Sequence, residues 1–372
     1  MARIFVLAAA TFLMALSAAT WAAETPPPAP PPAAYVPPIP PPPLVPPVAA
    51  ECSVPTSGNH VPGCAYDGKA DTYFLSARPP KTGDTFTLTL AEPAAIKRIE
   101  VRTGDADGKN VLGGAVLETS ADGNEFGKVA AFASGAAKAA LAAGKPVKVI
   151  RIRFTADAVG PAAVREFTID AQPPVPVIKY PLEVRLDVSE VPDSKDWCEK
   201  AAKAVERWYP TFCDYLAGDG FTPSKVITIT FKNDNKGIAA TGGDNITCHM
   251  GWFKAHPDDI GAVVHESIHV IQAYHSRSNP GWLVEGIDDY LRWWIYESPP
   301  KRRLDPNRIK YTDSYQTTGA FLAWAVRTCD KDLVKKLNAA CRKGEYKDEL
   351  FKAFTGKDLD ALFEEFKKSL AK

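Results

Sequence analysis

Two histidines four residues apart, with a glutamate beside the first, carry the clearest chemistry in the chain: His265-Glu266-Ser267-Ile268-His269. On an α-helix, positions i and i+4 share one face a turn apart, so both imidazoles can reach one metal ion. Zinc accepts imidazole nitrogen at about 2.0–2.1 Å and is commonly held by such a pair and a third ligand. Glu266 then sits beside the metal, where it can take a proton from a water as the general base of a metal-assisted hydrolysis. Val263, Val264, Val270 and Ile271 flank the motif, so the helix is expected to be buried. Two imidazoles and a carboxylate inside an apolar helix need partners, because an unpaired buried charge is costly. A chance match to so short a motif is on the order of 1% in a chain of this length, so context decides.

The context is a second segment, Gly281-Trp282-Leu283-Val284-Glu285-Gly286-Ile287-Asp288-Asp289-Tyr290, which follows the turn residues Asn279-Pro280 and reads as a helix. Glu285 is a suitable third ligand. Asp289, one turn further on, can accept the outer N–H of a ligand histidine, the usual partner of a metal-bound imidazole. His275 competes with Glu285, since His265, His269 and His275 have the spacing His-Glu-x-x-His-x-x-Gln-x-x-His. Amide hydrolysis also builds negative charge on the carbonyl oxygen and calls for a donor. Tyr315 is the preferred candidate, with Tyr311, His249 and His256 as others.

A helical Glu followed by Asp at i+4, downstream of His-Glu-x-x-His, is similar to the glutamate-zincin pattern. The His275 arrangement resembles metzincins, but those have Gly where Gln272 stands and a methionine after the site, whereas Met1, Met14 and Met250 all precede it. The stretch His265–Gln272, the Glu285 segment and Tyr311-Thr312-Asp313-Ser314-Tyr315 together resemble the basic secretory protein family of plant and bacterial proteins. The likeness covers about residues 181 to 370. It implies a zincin-like fold, zinc and peptidase activity. Plant members are basic, whereas this chain carries 44 Lys+Arg against 44 Asp+Glu.

The elements that must position these residues are α+β. Residues 180–188 and 226–231 read as strands, 245–253 as a further strand, and 194–216 as a helix with Asp193 or Ser194 at its start. Helical pattern dominates from residue 258 onward, giving a domain over 181–372. Residues 51–171 are different in kind. Thr85-Phe86-Thr87-Leu88-Thr89-Leu90 and Val149-Ile150-Arg151-Ile152-Arg153-Phe154 alternate with period two between Gly/Asp turns, the signature of a β-sandwich or jelly roll. Asp67-Gly68-Lys69-Ala70-Asp71-Thr72, the stretch Leu117 to Gly123, and Val164-Arg165-Glu166-Phe167 resemble, in that order, the discoidin or coagulation-factor C-type pattern. That resemblance implies a module for sugars or other surface ligands, with Asp67 and Asp71 as candidates for a structural calcium and Tyr66, Tyr73 and Phe74 as available aromatics. The expected architecture is thus multidomain: a discoidin-like sandwich followed by a zincin-like α+β domain.

Residues 24–50 are dominated by proline and are expected to form an extended polyproline II spacer. Residues 172–180, with Pro173, Pro174 and Pro176, read as a shorter linker. Residues 1–23 read as a secretory signal: Arg3, an apolar stretch over 4–16 too short to span a membrane, then small residues with cleavage after Ala19 or Ala22. No other segment is long and apolar enough to span one. Zero formal charge and no basic cluster beyond Lys301-Arg302-Arg303 argue against a nucleic-acid partner. Export allows disulfides. Among seven cysteines, Cys52 is expected to pair with Cys64, Cys198 or Cys213 to reach Cys248, and Cys329 to bond Cys341. Cys198 and Cys213 should not pair together, being roughly 20 Å apart along one helix unless Pro210 breaks it. The combined expectation is a secreted zinc peptidase acting on peptides or glycoproteins, with an accessory glycan- or surface-binding module. The alternative is a protein without peptidase activity that acts mainly through its sandwich.

Overall fold

Alternation in residues 85–103 produces one long strand that joins two sheets. In a computed structural model, which describes residues 47–371 apart from 143–144, 277 and 299–302, strand β3 (Thr85–Thr103) buries Phe86, Leu88 and Leu90 on one face and turns its threonines outward. Its pairing shifts register between Thr89 and Ala94, at Glu92-Pro93, where proline removes a ladder donor. Before the shift β3 pairs with β1 (Val48–Cys52) and β7 (Pro146–Phe154). After it, β3 pairs with β6 (Ala136–Ala140) and β8 (Ala163–Gln172). Strands β4 (Ala115–Ser120) and β5 (Gly127–Ala131) extend the first sheet, and β2 (Phe74–Leu75) extends the second. The two inner faces meet at Phe86 and Phe167, whose rings stack at 5.7 Å, in a sandwich core with Phe74, Ile99, Leu117 and Ile150. The expected signal and most of the proline spacer, and Lys301 and Arg302 of the basic run, lie outside the described residues.

The chain leaves the sandwich pinned to it. The Tyr66 hydroxyl donates to Val175 O at 2.8 Å and Ile178 N–H to Tyr66 O at 2.8 Å. The following region is α+β. Strands β9 (Glu183–Asp187), β10 (Val226–Lys232) and β12 (Asn245–His249) are parallel, and β11 (Ala239–Gly242) adds antiparallel to β12 at the edge. The expected strand over 245–253 ends early: helix α2 (Met250–Ala255) begins directly after His249. Helix α1 (Lys195–Leu216) crosses from β9 to β10 and continues through Pro210. Its apolar face, with Val205 and Phe212, shares a core with Ile227, Ile229 and Phe231. Helices α3 (Ile260–Gln272), α4 (Gly281–Leu291), α5 (Tyr315–Thr328), α6 (Leu333–Lys343), α7 (Glu349–Thr355) and α8 (Leu359–Leu370) complete the region.

None of the expected disulfides forms; all seven cysteines are free thiols. Cys64 sits in a buried 3-10 turn with its sulfur toward Lys225, not Cys52. Cys329 is exposed at the end of α5, whereas Cys341 faces inward from α6. Cys198, Cys213 and Cys248 are packed in the core as small apolar groups.

Two sheet edges have different fates. The β9 edge meets the sandwich, where Arg185 Nη2 donates to Gly58 O at 2.7 Å. The β11 edge borders a cleft. Close packing sets the far wall of that cleft. A Cβ on Gly286 of α4 would lie 2.2 Å from Thr318 Cγ2 of α5, so only glycine permits this approach.

Candidate metal centre

Helix α3 is buried along nearly its whole length; His269 alone of its residues is only partly so. Its apolar residues hold it against the sheet and leave His265 and His269 projecting from one face, ring centroids 5.0 Å apart and nearly perpendicular. Helix α4 brings Glu285 to both. Glu285 Oε2 lies 3.2 Å from His265 Nε2 and 3.4 Å from His269 Nε2. Three ligand-type atoms from two helices thus converge on one point.

The outer nitrogens are already engaged. His265 Nδ1 donates to Asp289 Oδ1 at 3.0 Å, and His269 Nδ1 to Gln272 Oε1 at 3.0 Å. Both partners are acceptors, so each Nδ1 carries hydrogen and each Nε2 has its lone pair free in the neutral ring. Gln272 in turn donates to Val284 O at 3.1 Å, which locks α3 to α4. Asp288 is fully buried, and its Oδ2 sits 2.5 Å from His269 Nδ1, yet neither carboxylate oxygen has an aligned hydrogen-bond donor. His265, His269, Glu285 and Asp288 each offer an atom within 4.8 Å of the others. Asp288 nevertheless lies on the Nδ1 side of His269, across the ring from Nε2, so it backs that histidine while Glu285 shares its point of convergence.

Burial penalises every charge here, but the contacts outweigh it for three groups. Burial alone would lower the His265 pKa; Asp289 and Glu285 raise it to about 9. His269 is likewise penalised by burial, and Asp288 and Glu285 raise it to about 12. Burial would raise Glu285, and the two imidazoles bring it down to about 2. Asp288 is the exception, raised by burial to about 6 despite His269 beside it. Three carboxylates around two imidazoles favour positive charge in this pocket, and Glu285 is the carboxylate that lies at the point between the Nε2 atoms. Two imidazole nitrogens and a carboxylate oxygen suit a divalent transition cation, and the orphaned Asp288 oxygens fit a site whose histidines are polarised from behind.

Glu266, the residue after His265 on α3, lines the same cleft as the two histidines and is 8% exposed. Thr241 Oγ1 of β11 lies 2.7 Å from Glu266 Oε2 and 2.9 Å from Glu266 O. The cleft, about 1280 Å³, is bounded by β11, the two histidines, Glu266, Glu285, Trp293 and Tyr315. Tyr315 is 54% exposed, and its ring lies 6.2 Å from that of His265. The charge of Glu285, then burial, pushes its hydroxyl pKa up. Ser314 and Tyr315 both have positive φ, +62° and +46°, a strained pair of non-glycine residues at the entrance to α5.

Residues 185–366 match the family model described as "Peptidase of plants and bacteria". This region is a BSP-family domain. It is the family that the histidine, Glu285 and Tyr315 stretches resemble. No curated protein matches the chain. Solved structures similar to part of it include a carbohydrate-binding module, CBM32-1, from a family 31 glycoside hydrolase of Clostridium perfringens. That module is 20% identical, with 34% of this chain and 96% of that one covered and a TM-score of 0.29. A second is CBM32-5 from the same organism, in complex with GalNAc-β-1,3-galactose, at 18% identity, 34% and 99% coverage and a TM-score of 0.29. A third is the family 32 module of C. perfringens NanJ in complex with galactose, at 14% identity, 34% and 96% coverage and a TM-score of 0.28.

Within the BSP domain the other candidates take separate places. His275 is exposed in the loop after α3; it lines the cleft but stands outside the four-residue group. Tyr311 packs on Trp282 and Phe363, away from the cleft. His249 contacts Asp234, and His256 stacks on Trp252 at 3.9 Å. Neither borders the cleft. The supporting contacts of Asp288, Gln272 and Thr241 are not among the sequence expectations. Asp288 is three residues after Glu285, so helical spacing alone could have put it on the face that Glu285 presents. Nothing local could have paired Thr241 with Glu266.

In the sandwich, Tyr66 and Phe74 are core residues, and Tyr73 stacks on His60 at 4.2 Å. Asp71 is exposed. Asp67 is 5% exposed and accepts from Lys69 N and Thr72 Oγ1 through Oδ1. Its Oδ2 and Glu166 Oε2 are buried without partners. Burial, then the charge of Asp67, pushes Glu166 up to about 8. Among the described residues, no helix is long and apolar enough to cross a membrane.

Proposed function

We propose that this chain is a secreted zinc peptidase of zincin-like fold. The observation that carries the reading is the convergence of His265 Nε2, His269 Nε2 and Glu285 Oε2, with both Nδ1 atoms committed elsewhere and Glu266 beside them. His265, His269 and Glu285 would hold the ion, and Asp289, Gln272 and Asp288 would orient the imidazoles. Zinc, when bound, supplies Lewis acidity to a water and to the scissile carbonyl. Glu266 takes the proton of the attacking water on its carboxylate and passes it to the leaving amide nitrogen. The Tyr315 hydroxyl donates to the developing oxyanion. An extended substrate pairs with the open β11 edge.

The sandwich, expected over residues 51–171 and extended by strands β1 from Val48 and β8 to Gln172, serves as the binding module for glycans or other surface ligands, joined through the linker up to residue 180 and preceded by the proline-rich spacer from residue 24 and the 1–23 signal. A calcium ion held at Asp67 and Glu166 fits their two buried, unpartnered oxygens, since that ion takes carboxylate and carbonyl oxygens. The test of the peptidase is metal content and hydrolysis of a denatured protein by wild type and Glu266→Gln. One zinc in both, with activity lost by about 10²–10⁴-fold in the variant, supports the reading. A zinc-loaded wild type that cleaves no protein or peptide overturns it and leaves the sandwich as the functional part.

A further inference from the structure

We propose that Thr241 is the positioning residue for the Glu266 carboxylate and couples it to an extended chain lying along β11; this rests on the peptidase reading above. The Thr241 hydroxyl has one proton and two acceptors within reach, Glu266 Oε2 at 2.7 Å and Glu266 O at 2.9 Å. A charged carboxylate is the stronger acceptor, so the proton goes to Oε2. Oε1 is then the oxygen left to accept a proton. The transfer balances on that atom: water gives its proton to Oε1 as its oxygen bonds to the carbonyl carbon, and Oε1 returns it to the amide nitrogen as the C–N bond breaks. Thr241 keeps its own proton throughout.

The main chain of the same residue faces the other way. In an antiparallel ladder, hydrogen-bonded and non-bonded pairs alternate. His249 N donates to Ile238 O at 2.9 Å. Following the register from there, Ala240 pairs with Thr247 and Gly242 with Asn245 as bonded pairs, while Thr241 stands opposite Ile246 as a non-bonded one. Thr241 therefore turns its N–H and C=O toward the free edge, and β11 is the terminal strand of its sheet. A peptide strand that pairs there holds the backbone of the residue whose side chain holds the base. Binding energy from remote parts of a long substrate is thereby spent on orienting Oε1, which raises turnover as well as affinity. Substrates too short to reach Thr241 forgo that gain.

The experiment uses the zinc-loaded full chain, wild type, Thr241→Val and Thr241→Ser, with a cleaved peptide of about eight residues and a blocked dipeptide sharing its scissile bond. Binding of a peptide hydroxamate is measured alongside. Thr241→Val is expected to lower kcat on the long peptide by about 10- to 100-fold, the loss of one hydrogen bond to a charged group, with KM within about twofold. It should weaken the hydroxamate, keep one zinc and wild-type Tm, and abolish the kcat advantage of long over short substrate. Thr241→Ser should restore kcat to within about threefold of wild type. Wild-type kcat in Thr241→Val, or equal losses in Thr241→Val and Thr241→Ser, overturns the role. A wild type that cleaves neither substrate overturns the peptidase reading, and this inference with it.

Discussion

At the residue scale, the centre is defined by which nitrogen of each histidine is free. Asp289 and Gln272 take the Nδ1 hydrogens and leave both Nε2 atoms facing Glu285. Removing such an outer acceptor costs about 10- to 100-fold in metal affinity. Asp289→Ala and Gln272→Leu should each do so in a competition titration against a chromophoric chelator. Glu285→Ala should lose the zinc found in wild type, whereas His275→Ala should keep it, as elemental analysis will report. The opposite pattern would make His275 the third ligand. The pKa shifts give a further expectation for the metal-free protein. His265 is raised from 6.5 to about 9, so its contribution to stability is complete below pH 6.5 and is lost as pH rises through 9. The Tm of chelator-treated protein should therefore fall between pH 6.5 and 9. A zinc ion held at the proposed site would occupy the Nε2 lone pairs without a proton, so the loaded protein should show a much smaller fall over that window.

At the scale of elements, two helices and one strand make the site. Helix α3 supplies the two histidines proposed as ligands and the glutamate proposed as base, α4 the proposed third ligand Glu285 and two aspartates behind the imidazoles, and β11 a hydroxyl. The α4–α5 contact decides where Tyr315 stands. A Cβ on Gly286 would lie 2.6 Å from Thr318 Cβ, and Thr318 Oγ1 itself donates to Tyr311 O at 2.7 Å. Gly286→Ala should therefore destabilise the protein by about 1–3 kcal/mol through overpacking. It should also lower turnover more than zinc affinity, because α5 and Tyr315 move while the histidines stay. Unchanged Tm in Gly286→Ala would mean that α5 yields without cost.

At the scale of the molecule, the sandwich covers one edge of the second sheet and leaves the other open. Arg185 bonded to Gly58 meets the sandwich on the β9 side, which leaves β11 as the edge for the proposed substrate pairing. The segment linking the two parts lies against Tyr66 and beside Gly68, whose Cβ position is 3.7 Å from Val177. That places it next to the Asp67 and Glu166 oxygens. Calcium should raise the Tm of wild type, and Glu166→Gln should abolish that response, as read by calorimetry with EGTA as the control. A calcium response undiminished in Glu166→Gln would place the ion elsewhere.

By itself the sequence placed His265, Glu266 and His269 together on a buried helix, because residue spacing and helical periodicity are both local. It also determined the sandwich, through the period-two alternation of residues 85–90 and 149–154, and the change to α+β after the prolines. Local pattern carried no information on how distant segments meet. The free thiols, for example, follow from the directions that α5, α6 and the 62–66 turn impose on their sulfurs, which cysteine spacing does not encode. Only the tertiary structure set Asp288 behind His269, Gln272 between α3 and α4, and Thr241 against Glu266. Each of those contacts depends on the crossing of two elements, and a crossing is decided by core packing across the whole domain, such as glycine against threonine at α4 and α5.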